Sequence, residues 1–245
     1  MPLHFVDAGA TSARVGGTVV LTGAEAHHAA TVRRVRVGEE VTVGDGAGVW
    51  LTGSVSEVAP REVVIAVTGR NEDPAPRPRL VLVQALAKGD RDEMAAQAAT
   101  ELGVDEIVPW QSARSVVRWE GSKAEKGRAR WESIVREAAK QAHRPWIPVV
   151  AAPARTVEVA ARAGDALMIV LEPAASDRLT ALAAPLRDAD EVLLVVGPEG
   201  GIAPDEIERL TAAGARLARL GGEVLRTSTA GPAALAVVAA LLGRW

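Results

Sequence analysis

The sequence predicts an α/β protein in two parts, a small β-barrel domain over residues 1–72 and a larger domain with a mainly parallel sheet over residues 77–245. Short β-rich runs crowd the first part, a proline-rich break follows, and strands and helices alternate after it. The break is Asn71-Glu72-Asp73-Pro74-Ala75-Pro76-Arg77-Pro78, where three prolines within five residues favour extended backbone and no packed element.

Before the break, residues 18–21, 40–43, 49–55 and 63–67 read as strands, with Gly44-Asp45-Gly46 as a hairpin signal. Several short strands in so few residues suggest a small barrel. Residues 24–32 read as a helix leading into Arg33, Arg34 and Arg36. After the break, residues 80–86, 107–110, 147–151, 167–171 and 192–196 are short apolar runs, as expected of strands buried on both faces. Asp90 and Glu93 can form a capping box for a helix that carries Met94, Ala98 and Leu102 on one face and ends at Gly103. Trp131, Ile134, Val135, Ala138 and Ala142 give the stripe of a second helix, stopped before Pro145.

Composition narrows the function. Hydrophobic residues make up 48% of the chain, enough for a sizeable core, and the absence of cysteine excludes disulfides, thiolate metal sites and cysteine nucleophiles. His4, His27, His28 and His143 lack the spacing of a metal site, so no metal is expected. The first residues show no signal peptide, and the longest apolar run, 233–242, is shorter than the roughly 18–20 residues of a membrane span. A cytoplasmic protein without a membrane partner is expected. Net charge is −3, yet residues 77–147 hold 13 Lys and Arg against 10 Asp and Glu. Such a local excess could serve RNA, because electrostatic binding depends on a patch rather than the total. By charge alone, a solvated mixed-charge surface accounts for the same counts better.

Two segments carry chemistry. In Val195-Val196-Gly197-Pro198-Glu199-Gly200-Gly201-Ile202-Ala203-Pro204-Asp205-Glu206, a buried strand runs into a glycine-rich turn and then a helix with Pro204 near its first position. Strand ends in α/β sheets bind ligands, and glycines let backbone amides approach them. The turn is no phosphate loop or dinucleotide fingerprint, since neither glycine spacing occurs. The second segment, Leu217-Ala218-Arg219-Leu220-Gly221-Gly222-Glu223-Val224-Leu225-Arg226-Thr227-Ser228-Thr229-Ala230, leads into Gly231-Pro232 and an Ala/Leu/Val helix that finishes the chain. Small hydroxylated residues and glycines before a helix again suit a ligand loop.

Together these segments resemble the C-terminal half of the SPOUT methyltransferases, in which three loops form a deep trefoil knot that holds S-adenosylmethionine. Within that superfamily the chain is similar to the ribosomal RNA small-subunit methyltransferase E family, which methylates uracil N3 in 16S ribosomal RNA. The family signature of Gly-Pro-Glu-Gly-Gly, Leu-Gly and Leu-Arg-Thr-x-Thr-Ala is met by Gly197 to Gly201, Leu220-Gly221 and Leu225 to Ala230. Lys88-Gly89-Asp90-Arg91, Ala99 to Val104, Arg114-Ser115-Val116-Val117, Gln141-Ala142-His143-Arg144 and His27/His28 with Val32-Arg33-Arg34 extend the resemblance over nearly the whole chain. The sequence departs from the family at Gly222-Glu223, at Ser228 and at Gly231-Pro232. The resemblance implies a knotted parallel-sheet domain, a PUA-like N-terminal barrel, a homodimer, and the small ribosomal subunit as partner.

The resemblance also implies that Leu171, Gly197, Pro198, Gly200, Gly201, Leu220, Gly221, Leu225 and Thr227 hold S-adenosylmethionine, largely through backbone. Uracil N3 must lose a proton, leaving negative charge on O2 and O4, so a cation aimed at those oxygens would help. Arg226 is the candidate, the alternative being an ion pair with Glu199 that holds the loops. Glu199 is a candidate proton acceptor if burial raises its pKa, the alternative being a carboxylate that accepts backbone N–H bonds. For RNA, the expectation is Arg33, Arg34 and Arg36 on the barrel and Arg91, Arg114 and Arg144 on the larger domain, each with a solvated arginine as the plain alternative.

Overall fold

The structure, a computed structural model, describes residues 2–245 and contains two compact units. One comprises the residues up to Ala75 together with Ala139–Ile147, and the other comprises Pro76–Ala138 and Pro148–Trp245.

The first unit is a curled five-stranded sheet. Its strands are β1 (Leu3–Val6), β2 (Thr18–Thr22), β3 (Glu40–Gly44), β4 (Val49–Ala59) and β5 (Glu62–Glu72), in the order β1-β3-β4-β5-β2. β1 runs parallel to β3 and the other pairs are antiparallel. Alternate residues Val41, Val43, Leu51, Val55, Val63 and Ile65 fill one core with Phe5 and Leu21. Register shifts along β4, at Thr52/Gly53 and Val55/Glu57, bend the sheet around that core. α1 (Gly23–His27) continues as a π-helical turn over His28–Arg33 and stops at Arg34, whose φ of 54° is left-handed.

Residues 139–147 join this unit through specific contacts. The Lys140 ammonium lies 2.9 Å from the Glu25 carboxylate, and both side chains are nearly buried. The Gly48 N–H donates to the Pro145 carbonyl, Ile147 N–H to Gly46, and the Trp146 indole N–H to Asp73. Gly48 must be glycine here. Its φ is +104°, and a Cβ would lie 2.5 Å from the Asp73 oxygen and 2.8 Å from the Trp146 ring.

β1 gave no sequence signal because one of its inward positions is a histidine. His4 is buried, stacks on Trp50 at 4.0 Å, and shares a 2.9 Å hydrogen bond between its Nδ1 and the Thr42 hydroxyl. Burial, and then the charges of His143 and Lys140, lower its pKa to about 3 from an ordinary 6.5.

The second unit is built on a parallel sheet of β6 (Arg79–Ala85), β7 (Glu106–Gln111), β8 (Val149–Val150), β9 (Ala154–Arg155), β10 (Leu167–Leu171), β11 (Glu191–Val196) and β12 (Arg216–Ala218). The order is β12-β10-β11-β6-β7-β8, with β9 beside β7. Its helices are α2 (Arg91–Glu101), the body of α3 (Ser122–Gln141), α4 (Thr156–Ala161), α5 (Ala183–Asp188), α6 (Pro204–Ala212) and α7 (Thr227–Leu241). On one face, Val81, Val83, Ala85, Val108, Trp110, Leu193 and Val195 form a continuous core. On the other face α7 packs on β6 and β11 and against α2.

Two helix expectations need correction. Asp90 has φ 46° and makes no side-chain cap, and Glu93 pairs with Arg130 at 3.0 Å, so the predicted capping box does not form. The carboxylate next to it acts instead, with Asp92 accepting the Ala87 N–H at 3.0 Å. Nor is the Met94, Ala98 and Leu102 face the inward one. Met94 is 57% exposed, and Asp92, Ala95, Ala96, Ala99 and Thr100 are buried. Small residues win that face because the neighbour is α7, which brings its own Gly231, Ala234 and Ala239 inward. A Cβ at Gly231 would lie 2.9 Å from Leu82 Cδ1, so glycine lets α7 settle on the sheet. The helix starts at Thr227, ahead of Gly231-Pro232, and the proline costs it one early hydrogen bond rather than setting its start.

His4 supplies a test of the first unit. Between pH 6.5 and 3 the unfolded chain binds a proton that folded His4 refuses, so stability should fall as pH drops through that window. An NMR titration should find His4 neutral and unmoving from pH 8 to pH 5 in the folded protein. A His4 midpoint near 6.5 would contradict this burial.

Candidate active site

At the C-terminal ends of β10, β11 and β12, three chain segments enclose a cavity of about 400 Å³. They are residues 171–173, 196–202 and 218–230, with Arg91 on the rim. Parallel strands all end on this side, so adjacent loops converge there by construction. Leu171, Gly197, Pro198, Gly201, Leu220, Gly221, Leu225 and Thr227 line the cavity, as do Glu199 and Arg226. Gly200 is not among the lining residues; its carbonyl accepts a 3.0 Å bond from the Arg114 guanidinium.

The glycine-rich turn is tight. The Gly201 N–H donates to the Pro198 carbonyl at 2.9 Å, and Gly201 has φ +71°. A Cβ on Gly197 would lie 2.6 Å from Ile202 Cγ1, so the strand end must stay bare.

Glu199 is a clamp. Its Oε1 accepts from the Arg91 guanidinium at 2.8 Å and from the Lys88 N–H at 3.3 Å, which fastens the loop between β6 and α2 to the turn. Partial burial works to raise its pKa. Its own backbone N–H, Arg91 and the Lys88 N–H outweigh that, and the carboxyl sits below its usual range.

Arg226 stands at the N-cap of α7 with extended backbone. It is exposed, and among the described residues its guanidinium has no ion pair or hydrogen bond. The alternative considered for it, an ion pair with Glu199, is not formed; Glu199 pairs with Arg91 instead.

Thr227 is buried, and its hydroxyl is committed on both sides. It donates to the Gly197 carbonyl at 2.9 Å and accepts from the Gln84 amide at 2.9 Å. Gln84 carried no sequence signal, because it sits inside an apolar strand with no motif around it. Glu172, Arg219 and Glu223 also line the cavity and were missed. Glu172 directly follows a predicted strand and could have been found by the strand-end rule.

The arginines expected to meet RNA separate into two groups. Arg33, Arg34 and Arg36 are exposed, and among the described residues their guanidinium groups form no ion pair. Arg91 and Arg114 are engaged with Glu199 and Gly200. Arg144 falls within the first unit, half-buried, not in the larger domain as expected. The end of α3 turns there, where the Arg144 N–H bonds back to the Ala139 carbonyl.

These residues fit S-adenosylmethionine. The cavity is the size of a small-molecule site, with Leu171, Ile202, Leu220 and Leu225 for an apolar ring. The Glu172 and Glu223 carboxylates and the Arg91 guanidinium also line it, so the cavity presents both signs of charge to a ligand that carries both. Among the described residues, no group of His, Asp and Glu could hold a metal ion, and no helix is long and apolar enough to cross a membrane.

Comparison with known proteins gives the same picture. An RNA methyltransferase domain family model matches residues 73–239, and an RNA methyltransferase PUA domain model matches residues 21–68. A Mycobacterium bovis protein named ribosomal RNA small subunit methyltransferase E is 45% identical, over 99% of this chain and 93% of its own. A Legionella pneumophila methyltransferase structure with bound S-adenosylmethionine superposes with a TM-score of 0.86 at 30% identity, covering 98% of this chain and 96% of its own. A Neisseria gonorrhoeae ribosomal RNA small subunit methyltransferase E structure, bound to S-adenosylmethionine, gives 0.83 at 28%, covering 100% and 98%.

The turn geometry can be tested directly. Gly201→Val forces a branched side chain into φ +71° at the cavity wall, and should weaken S-adenosylmethionine binding by about tenfold or more. Unchanged affinity by calorimetry, in a variant that stays folded, would contradict this assignment of the pocket.

Proposed function

The chain belongs to the ribosomal RNA small subunit methyltransferase E family, and on that premise we propose that it methylates N3 of a uridine in small-subunit ribosomal RNA, with Arg226 stabilising the charge that forms on the base. It is an S-adenosylmethionine-dependent ribosomal RNA methyltransferase. The observation that carries the finer reading is an unpaired guanidinium, among the described residues, lining the same cavity as a carboxylate that is ion-paired with another arginine.

When bound, S-adenosylmethionine supplies an electrophilic methyl group on a sulfonium. Leu171, Gly197, Gly201, Leu220 and Leu225 would hold it, and the Glu172 and Glu223 carboxylates of the same cavity would offer counter-charge to a cationic ligand. The protein's remaining task is to orient the base and favour its anion. Loss of the N3 proton spreads charge over O2 and O4, which a planar guanidinium can span. Glu199, ion-paired and held below the ordinary carboxylate range, is a weak proton acceptor. It serves better by keeping Arg91 and the Lys88 backbone at the rim. The N3 proton then passes to solvent, so methyl transfer should rise with pH as the base ionises, without a step from Glu199 in the neutral range.

Arg33, Arg34 and Arg36 supply the phosphate contacts of the first unit, which matches a PUA domain over residues 21–68. The same reading carries a cytoplasmic location and a homodimer, whose mass sedimentation would report.

Arg226→Lys should leave cofactor affinity near wild type and lower single-turnover methylation by about two orders of magnitude, the scale of one lost oxyanion donor. Affinity and rate falling in parallel, or full activity, would sink the role given to Arg226. Reversing Arg33, Arg34 and Arg36 to Glu should weaken RNA binding and flatten its salt dependence while cofactor affinity holds. Wild-type RNA affinity and salt slope would remove this face from the binding surface.

A further inference from the structure

Gln84 is an amide where the sheet has every reason to hold an aliphatic side chain. It lies on β6, in register with Val196 of β11 and Pro109 of β7, and is fully buried. Its neighbours along the same face include Leu80 and Leu82, both fully buried. Burying an amide is unfavourable unless its hydrogen-bonding groups are matched. Here they are only partly matched. The Nε2 donates to the Thr227 hydroxyl at 2.9 Å and to the Ala85 carbonyl at 3.2 Å, and among the described residues the Oε1 has no partner. The orientation of the amide is fixed by its surroundings. The Thr227 hydroxyl spends its one proton on the Gly197 carbonyl at 2.9 Å, and the Ala85 carbonyl can only accept, so both require a donor from Gln84.

A half-matched buried amide is a poor device for stability and a good one for placing a partner. Its partner is the first residue of α7, directly after Arg226. We propose that Gln84 is a positioning residue for methyl transfer: through the Thr227 hydroxyl it fixes the start of α7, and with it Arg226, against the Gly197 carbonyl at the cofactor wall. This rests on the functional reading above. The relay Gln84–Thr227–Gly197 ties the third cavity segment to the second, and Gln84 itself is fully buried and is not among the residues that line the cavity. The carbonyl of Arg226 completes the arrangement by accepting the N–H groups of Thr229 and Ala230, each at 2.9 Å.

The test uses the full chain and Gln84→Met, which fills the same space without donors. The melting temperature should stay within roughly 3 °C of wild type and the S-adenosylmethionine dissociation constant within about threefold. Single-turnover methylation of small-subunit ribosomal RNA should fall about tenfold, and amide exchange at Thr229 and Ala230 should quicken about fivefold. Thr227→Val breaks the same bond from its other end, should Gln84→Met not fold. The Gln84→Met/Thr227→Val double variant should be no slower than the slower single variant, while Thr227→Ser should keep most of the rate. A wild-type rate, unchanged exchange, a loss of cofactor affinity equal to the loss of rate, or multiplying losses in the double variant would each overturn the proposal. A wild-type chain inactive on that RNA would sink the functional reading, and the catalytic half of this proposal with it. An active wild type with an equally active Gln84→Met sinks the positioning role alone.

Discussion

The cavity exists because α7 can come down onto β6 and β11 at Gly231, where a single added carbon would strike Leu82. That approach brings Thr227 within 2.9 Å of the Gly197 carbonyl and closes two of the three cavity segments onto each other. The alanine face of α2 follows from the same demand, since a larger residue at Ala95, Ala96 or Ala99 would hold α7 away. The bare strand end at Gly197 has a separate cause, because Ile202, which packs with the core on the opposite face, takes the space a Cβ would need. The site is therefore a consequence of close packing on both faces of the sheet.

Charge is distributed around this frame with a clear division of labour. Glu199 and Arg91 neutralise each other while joining the glycine-rich turn to the loop before α2. Arg114 is spent on the Gly200 carbonyl. That leaves Arg226 uncommitted at the cavity, where an anion formed on a bound base would find it. That uncommitted cation is the observation on which the role proposed for Arg226 rests.

Much of this was legible in the sequence. The apolar runs placed the main strands, and the two glycine-rich segments placed the cavity, because strand ends and left-handed turns leave distinct residue patterns. What stayed hidden depended on tertiary neighbours. β1 was masked by His4, whose burial makes sense only beside Trp50 and Thr42. The inward face of α2 was misjudged because small residues, not the larger Met94, suit a helix neighbour at short range. Residues 139–147 belong with the first unit through contacts such as Trp146 with Asp73, which no local pattern announces. Gln84 looked like one polar residue in a strand, and its meaning appears only with Thr227 in place. The partner of Glu199 was likewise a matter of geometry, since the sequence offered Arg226 for that carboxylate and set Arg91 aside for RNA, whereas Arg91 is the residue that pairs with it.

The central claim is that this pocket serves methyl transfer to uridine N3 in small-subunit ribosomal RNA. Mass-spectrometric mapping of modified nucleosides in ribosomal RNA, from cells lacking this protein and cells with it restored, tests that most directly. One 3-methyluridine should disappear from small-subunit RNA without the protein and return with it. Unchanged 3-methyluridine, or loss of a ribose 2′-O-methyl group in its place, would contradict it.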